Sequence, residues 1–64
     1  MTEERFWEIV GKADSGDVEA MQKAAFMLME VAEKNIPDGN MELAMLCLKK
    51  SDEYTKKLQS MGIW

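Results

Sequence analysis

The chain is predicted to be all-α, three helices forming an antiparallel bundle or a helical-hairpin-repeat-like stack, on three observations. Apolar residues recur at helical spacing in three separate stretches. Two turn-forming segments, Asp14-Ser15-Gly16-Asp17 and Asn35-Ile36-Pro37-Asp38-Gly39-Asn40, divide those stretches. The middle stretch is apolar around more than half of its circumference, so both neighbours must cover it. The expected helices are residues 3–13, 18–34 and 41–60, in a single small domain covering residues 1–64.

The first helix is expected to be capped by Thr2, with Glu3 and Glu4 in the first turn, where they favour the positive end of the helix dipole. Phe6, Ile9, Val10 and Ala13 share its buried face, and Trp7 flanks them. Gly11 costs about 1 kcal/mol relative to alanine in a helix interior, so it either permits close packing or marks a loose final turn. Gly16 can adopt the left-handed conformation that ends this helix, while Ser15 or Asp17 caps the next.

In the second helix Val18, Met21, Ala24, Ala25, Met27, Leu28, Met29, Val31 and Ala32 leave only a narrow polar strip. This is the predicted central helix, and its alanines let neighbours come close. Pro37 disfavours helix at the residue before it, and Asp38 or Asn40 can cap the third helix. That helix presents Leu43, Ala44, Cys47, Leu48, Ser51, Tyr54, Thr55, Leu58 and Met61 on its main face, a stripe growing more polar after Ser51. Gly62 is placed to end it, with Ile63 folding back on the last turn. Trp64 is either packed over the base of the core or presented to a partner.

Ser15-Gly16-Asp17-Val18-Glu19-Ala20-Met21, then Ala24-Ala25, Ile36-Pro37-Asp38 and Met41-Glu42-Leu43-Ala44, together resemble the Sel-like subtype of tetratricopeptide helical repeats. In that resemblance Ala25 is the small residue of the A helix and Ala44 the early alanine of the B helix. The first helix stands for a preceding B helix. The likeness spans about residues 15–52, one and a half repeats, and implies a protein-interaction scaffold without catalysis. The chain departs from the pattern at Leu28, Cys47 and Leu48, which stand where aromatic residues are usual, and in its shorter loop. Stacked arrays normally need about three or more repeats for stability.

Composition excludes several function classes. Apolar residues make up 47% and charged residues 31% of the 64 positions, too apolar for disorder and too interrupted by charge for a membrane span. With no basic leader ahead of an apolar segment, a cytoplasmic location is the default expectation. A net charge of −4 argues against direct nucleic-acid binding, which needs Lys and Arg in excess. One cysteine, Cys47, and no histidine leave no intramolecular disulfide and no structural zinc site. Cys47 reads as a small buried hydrophobe. Carboxylate pairs such as Glu3 with Glu4, or Asp52 with Glu53, lack a companion nucleophile or pocket. No catalytic residue, cofactor, metal or small-molecule substrate is therefore expected. Lys49, Lys50, Lys56 and Lys57 read as a solvated ridge around Glu53. Charge is nonetheless uneven: residues 1–42 hold ten acids against four bases, and the remainder four bases against two acids.

What points to function is apolar surface left over after the core is filled. Phe26 falls in the polar strip of the second helix, among Glu19, Gln22, Lys23, Glu30 and Glu33. Leu46 falls among Glu42, Lys49, Lys50 and Glu53, while Met41 and Met45 also lie off the main stripe of the third helix. Met21, Met27 and Met61 are expected to fill the core. The expected function is a small protein-interaction module binding another protein or itself through Phe26, Met41, Met45 and Leu46, with Trp7 and Trp64 as secondary contacts. A homodimer is favoured because a core this small seldom supplies more than roughly 3–5 kcal/mol. The competing class is an acidic inhibitor or decoy of phage or mobile-element type, blocking a basic site on a defence or nucleic-acid enzyme. Salt separates the two, since an acidic decoy loses affinity steeply with ionic strength and an apolar contact does not.

Overall fold

The computed structural model describes residues 3–64. It is all-α: α1 spans Glu3–Asp14, α2 Val18–Asn35 and α3 Met41–Ser60. The expected Thr2 cap lies outside the described residues. Short turns make successive helices antiparallel, and α1 and α3 each pack on α2 rather than on each other. The Cα extents are 35 × 23 × 13 Å, so the bundle is broader than it is deep, with α2 between its two neighbours.

α1 and α3 each stop where the backbone turns left-handed at a glycine. At the end of α1, Gly16 has φ +100°, its N–H donates to the Ala13 carbonyl, and the Asp17 N–H reaches back to Lys12. This paired closure satisfies carbonyls the helix end would otherwise leave open, at a conformation that side chains resist. The same pairing ends α3, where Gly62 donates to Gln59 and Ile63 to Leu58. Asp17 is the cap of α2, its carboxylate accepting from the Ala20 N–H at 3.0 Å.

The second turn departs from expectation. Ile36 is helical, at φ −60° and ψ −51°, although it precedes proline. Its N–H donates to Ala32 at 3.1 Å, and the turn winds on until Gly39 donates to Ile36 and Asn40 to Asn35. Pro37 has no N–H to leave unpaired, and these bonds outweigh the local preference of the residue before it. Neither Asp38 nor Asn40 caps α3 through its side chain; Asn40 occupies the position, but its amide donates to the Asn35 side chain at 3.2 Å.

A hydrophobic cluster forms along α2, where Met21, Ala24, Ala25, Leu28 and Ala32 are buried against Ala13 of α1 and Ala44, Cys47, Tyr54 and Leu58 of α3. Phe6, Ile9, Val18 and Val31 pack at its margins. The alanines allow backbones to approach closely enough for the buried Ser51 hydroxyl to donate to the Ala25 carbonyl at 2.8 Å. Gly11 has no such role, because a Cβ there would meet nothing within 4 Å.

Four expected core positions are exposed. Met61 is 47% exposed, and Met29, Leu43 and Leu48 are exposed to a similar degree. The buried stripe of α3 is narrower than its apolar composition, running through Ala44, Cys47, Ser51, Tyr54 and Leu58. A single supporting helix can cover only one face of α3, so the flanking leucines are left outside. The stripe does not lose its packing role after Ser51, since Tyr54 and Leu58 are among its best-buried members. Met21 and Met27 fill the core as expected.

Candidate interaction surface

Because α1 and α3 do not pack on each other, the space between them is a wedge with α2 as its floor. One end is closed. There the Tyr54 hydroxyl donates to the Asp14 carboxylate at 2.6 Å, and the Lys50 ammonium lies 3.0 Å from the same carboxylate and 5.1 Å above the Tyr54 ring. The Tyr54 hydroxyl and the Lys50 ammonium together hold the Asp14 carboxyl below the usual range, against a smaller opposing effect of desolvation. Burial, reinforced by the adjoining Asp14 carboxylate, pushes the Tyr54 phenol well above its ordinary value. This cluster pins the end of α1 to α3 across α2.

Toward the start of α1 the wedge opens into an apolar groove of about 480 Å³. Phe6, Trp7 and Val10 form one wall, Leu28 and Val31 the floor, and Leu43, Leu46 and Cys47 the other wall. Glu3 stands at the open end and Lys50 at the closed end, the two charged residues of its lining. Trp7 is held edge-on against Phe6, ring centroids 5.2 Å apart at 84°, which fixes an exposed indole on the rim. Cys47 is a free thiol whose pKa is raised by burial, which suppresses the reactive thiolate.

The six sequence-predicted contact residues do not form one patch. Leu46 and Trp7, each 60% exposed, stand on opposite walls of the groove. Met41 lines a depression at the start of α3 that shares Leu43 and Leu46 with the groove. Met45, the most exposed of the large apolar residues among the described residues at 65%, precedes Leu46 on the helix and therefore points about 100° away from it. Phe26 and Trp64 form a separate pair, ring centroids 5.5 Å apart, each still substantially exposed. Trp64 is thus both packed and presented: it lies on Phe26 rather than over the core.

Phe6, Val10, Leu28, Val31 and Leu43 were read as core and all line the groove; Val10 and Leu28 are buried as expected, Phe6 and Val31 are partly buried, and Leu43 is exposed. Nothing in residue spacing separates a core residue from a groove residue when both lie on the face turned toward α2. Among the described residues no group of three or more His, Cys, Asp or Glu side chains is arranged to hold a metal ion. Among the same residues no helix is long and apolar enough to cross a membrane. On α3, Lys56 pairs with Asp52, and Lys50 pairs with Glu53 and, across the fold, with Asp14. No protein-family model matches the chain, and no curated protein or solved structure matches it either.

Proposed function

We propose that this chain is a small protein-interaction module, a binding protein rather than an enzyme, that associates with a second copy of itself through exposed apolar side chains. The observation that carries the reading is the groove between α1 and α3: its walls and floor are apolar, and large side chains such as Trp7 and Leu46 stand on its rim. Exposed apolar residues scattered singly need no partner, whereas a contiguous concave set is the usual mark of a contact site. The thin stability margin of a chain this short supports the same reading, since burial against a partner stabilises the folded form by mass action.

The likeness to Sel-like helical repeats belongs to this proposal. It is supported by Ala25 and Ala44, the two small residues of the pattern, which are both buried in the cluster joining α2 and α3. The proposal also assigns the chain to the cytoplasm, a setting that suits a single free thiol. Light scattering over a dilution series tests the core claim. A molar mass that rises toward twice the monomer with concentration is the expected result; a monomer at every concentration up to about 1 mM removes self-association.

A further inference from the structure

We infer that the groove between α1 and α3 is a binding site for a small, uncharged, apolar molecule of about two or three rings, held as a ligand and not transformed. The site belongs to the single chain and does not rest on self-association. Size argues against a larger occupant. One turn of an α-helix with its side chains, about 5.4 Å long and 10–12 Å across, takes up about 400–600 Å³, so a groove of about 480 Å³ seats roughly one turn. A partner helix anchored at i, i+3 or i+4 and i+7 needs about two turns, and the cluster of Tyr54, Asp14 and Lys50 stands across one end of its path. The surface left open inside the groove is also a small fraction of the roughly 800 Å² that a standard interface takes from each partner. A second copy can therefore rest on the rim at Trp7 and Leu46, but it does not fill the space between them. A volume of about 480 Å³ does fall within the range of small-molecule pockets, which form between the helices of bundles, and is about three times the ~150 Å³ cavity that takes one benzene.

The lining sets the class of ligand. Phe6 and Trp7, locked edge to face, give one wall aromatic surface, and Leu43 and Leu46 give the other aliphatic surface. No polar group in the groove waits for a partner. The Lys50 ammonium is spent on Asp14 and Glu53, and burial keeps the Cys47 thiol protonated. Among the described residues no buried side-chain nitrogen or oxygen lacks a hydrogen bond. A charged ligand would lose hydration here and find no counter-charge in return, and Glu3 at the open end disfavours an anion further. An uncharged apolar ligand loses little, and it removes from water both its own surface and that of the exposed Trp7 and Leu46 side chains.

Two probes with the same ring system test this: 2-naphthol, uncharged at neutral pH, and 2-naphthoate, an anion. Each is titrated into the isotope-labelled full chain and followed by amide, methyl and indole NMR shifts. For 2-naphthol the expected result is one saturable site with a dissociation constant of about 1 mM or tighter, its shifts centred on Trp7, Val31, Leu43 and Leu46. The anion is expected to bind about tenfold more weakly. Leu46→Glu, at an exposed position that keeps the fold, is expected to weaken 2-naphthol about tenfold, and Met45→Glu to leave it within about twofold. An absence of saturable shifts up to about 5 mM, or shifts centred on Phe26 and Trp64, overturns the site. Binding of 2-naphthoate as tight as that of 2-naphthol overturns the ligand chemistry. Sedimentation equilibrium on the same samples separates this inference from self-association: a monomer that binds 2-naphthol keeps the site and loses the dimer, and a dimer that does not bind it does the reverse.

Discussion

At the scale of single residues, the contact that decides how α1 lies against α3 is Tyr54 on Asp14, with Lys50 bridging them. Removing the hydroxyl in Tyr54→Phe keeps the buried ring and deletes the tether, and is expected to cost about 1 kcal/mol because Asp14 is half exposed and re-solvates readily. The linkage gives this prediction a pH signature. Asp14 has its folded pKa lowered from 3.8, so its contribution is present above that value and is lost as pH falls through the folded value. Tyr54 has its folded pKa raised from 10.0, so its contribution is present below that value and is lost as pH climbs toward the folded value. Urea denaturation across pH should therefore show stability falling at both ends for the parent, with the acid fall reduced in Tyr54→Phe and the alkaline fall reduced to the part left by Cys47, whose pKa is also raised. An unchanged alkaline limb would show that the phenol is not the titrating group. The tether was invisible in the sequence, where Asp14 reads as turn and Tyr54 as one polar member of a fading stripe. Forty residues separate the partners, and no local rule joins them. Ser51 illustrates the same gap, since its hydroxyl is buried only because α2 offers the Ala25 carbonyl opposite it.

At the scale of elements, the helix boundaries were legible to within one residue because their causes are local. Gly16 and Gly62 close α1 and α3 as expected, and Asp17 rather than Ser15 is the cap of α2. Ser15 instead donates to the Lys12 carbonyl at 2.9 Å, which adds to the closure of α1. These assignments predict different costs for chemically similar changes. Asp17→Ala should destabilise by about 1 kcal/mol, the worth of a side-chain cap, whereas Asn40→Ala should cost only a few tenths because its side chain makes no cap bond. Thermal melts of the two variants would distinguish them; an equal loss would mean that Asn40 acts in a way its hydrogen bonds do not reveal. Gly11→Ala should raise stability by about 0.5–1 kcal/mol, since the position is helical, exposed and free of any atom a methyl group would strike. A loss on that substitution would show that α1 packs more tightly there than its surroundings indicate. Where local rules compete, the sequence was less informative. The preference of Ile36 against helix before Pro37 yielded to bonds from Ile36 and Asn40 back into α2 and from Gly39 to Ile36.

At the scale of the whole molecule, the central position of α2 follows from its wide apolar girth, and the structure has it between α1 and α3. Girth alone did not reveal how the two outer helices divide that surface. They lie on either side of α2 and are tied together at the Asp14 end, which leaves Val31 only partly covered beside the buried Leu28 on the floor of a groove. The same geometry explains why Leu46 was correctly read as exposed while its neighbour Leu43 was read as core. Both flank the open wedge, and Leu43 lacks a third layer to cover it. If a second copy supplies that layer, folding and association are coupled, and stability must depend on protein concentration. For a dimer that dissociates as it unfolds, each tenfold rise in concentration adds about 1.4 kcal/mol per mole of dimer. The thermal midpoint of the parent should therefore climb steadily across a hundredfold concentration series, while that of Leu46→Glu stays flat at the value of the lone chain. Met45→Glu should climb with the parent, because its side chain stands on a different flank of α3. A midpoint independent of concentration in the parent would mean that the three helices hold together unaided, with the exposed groove contributing nothing to their stability.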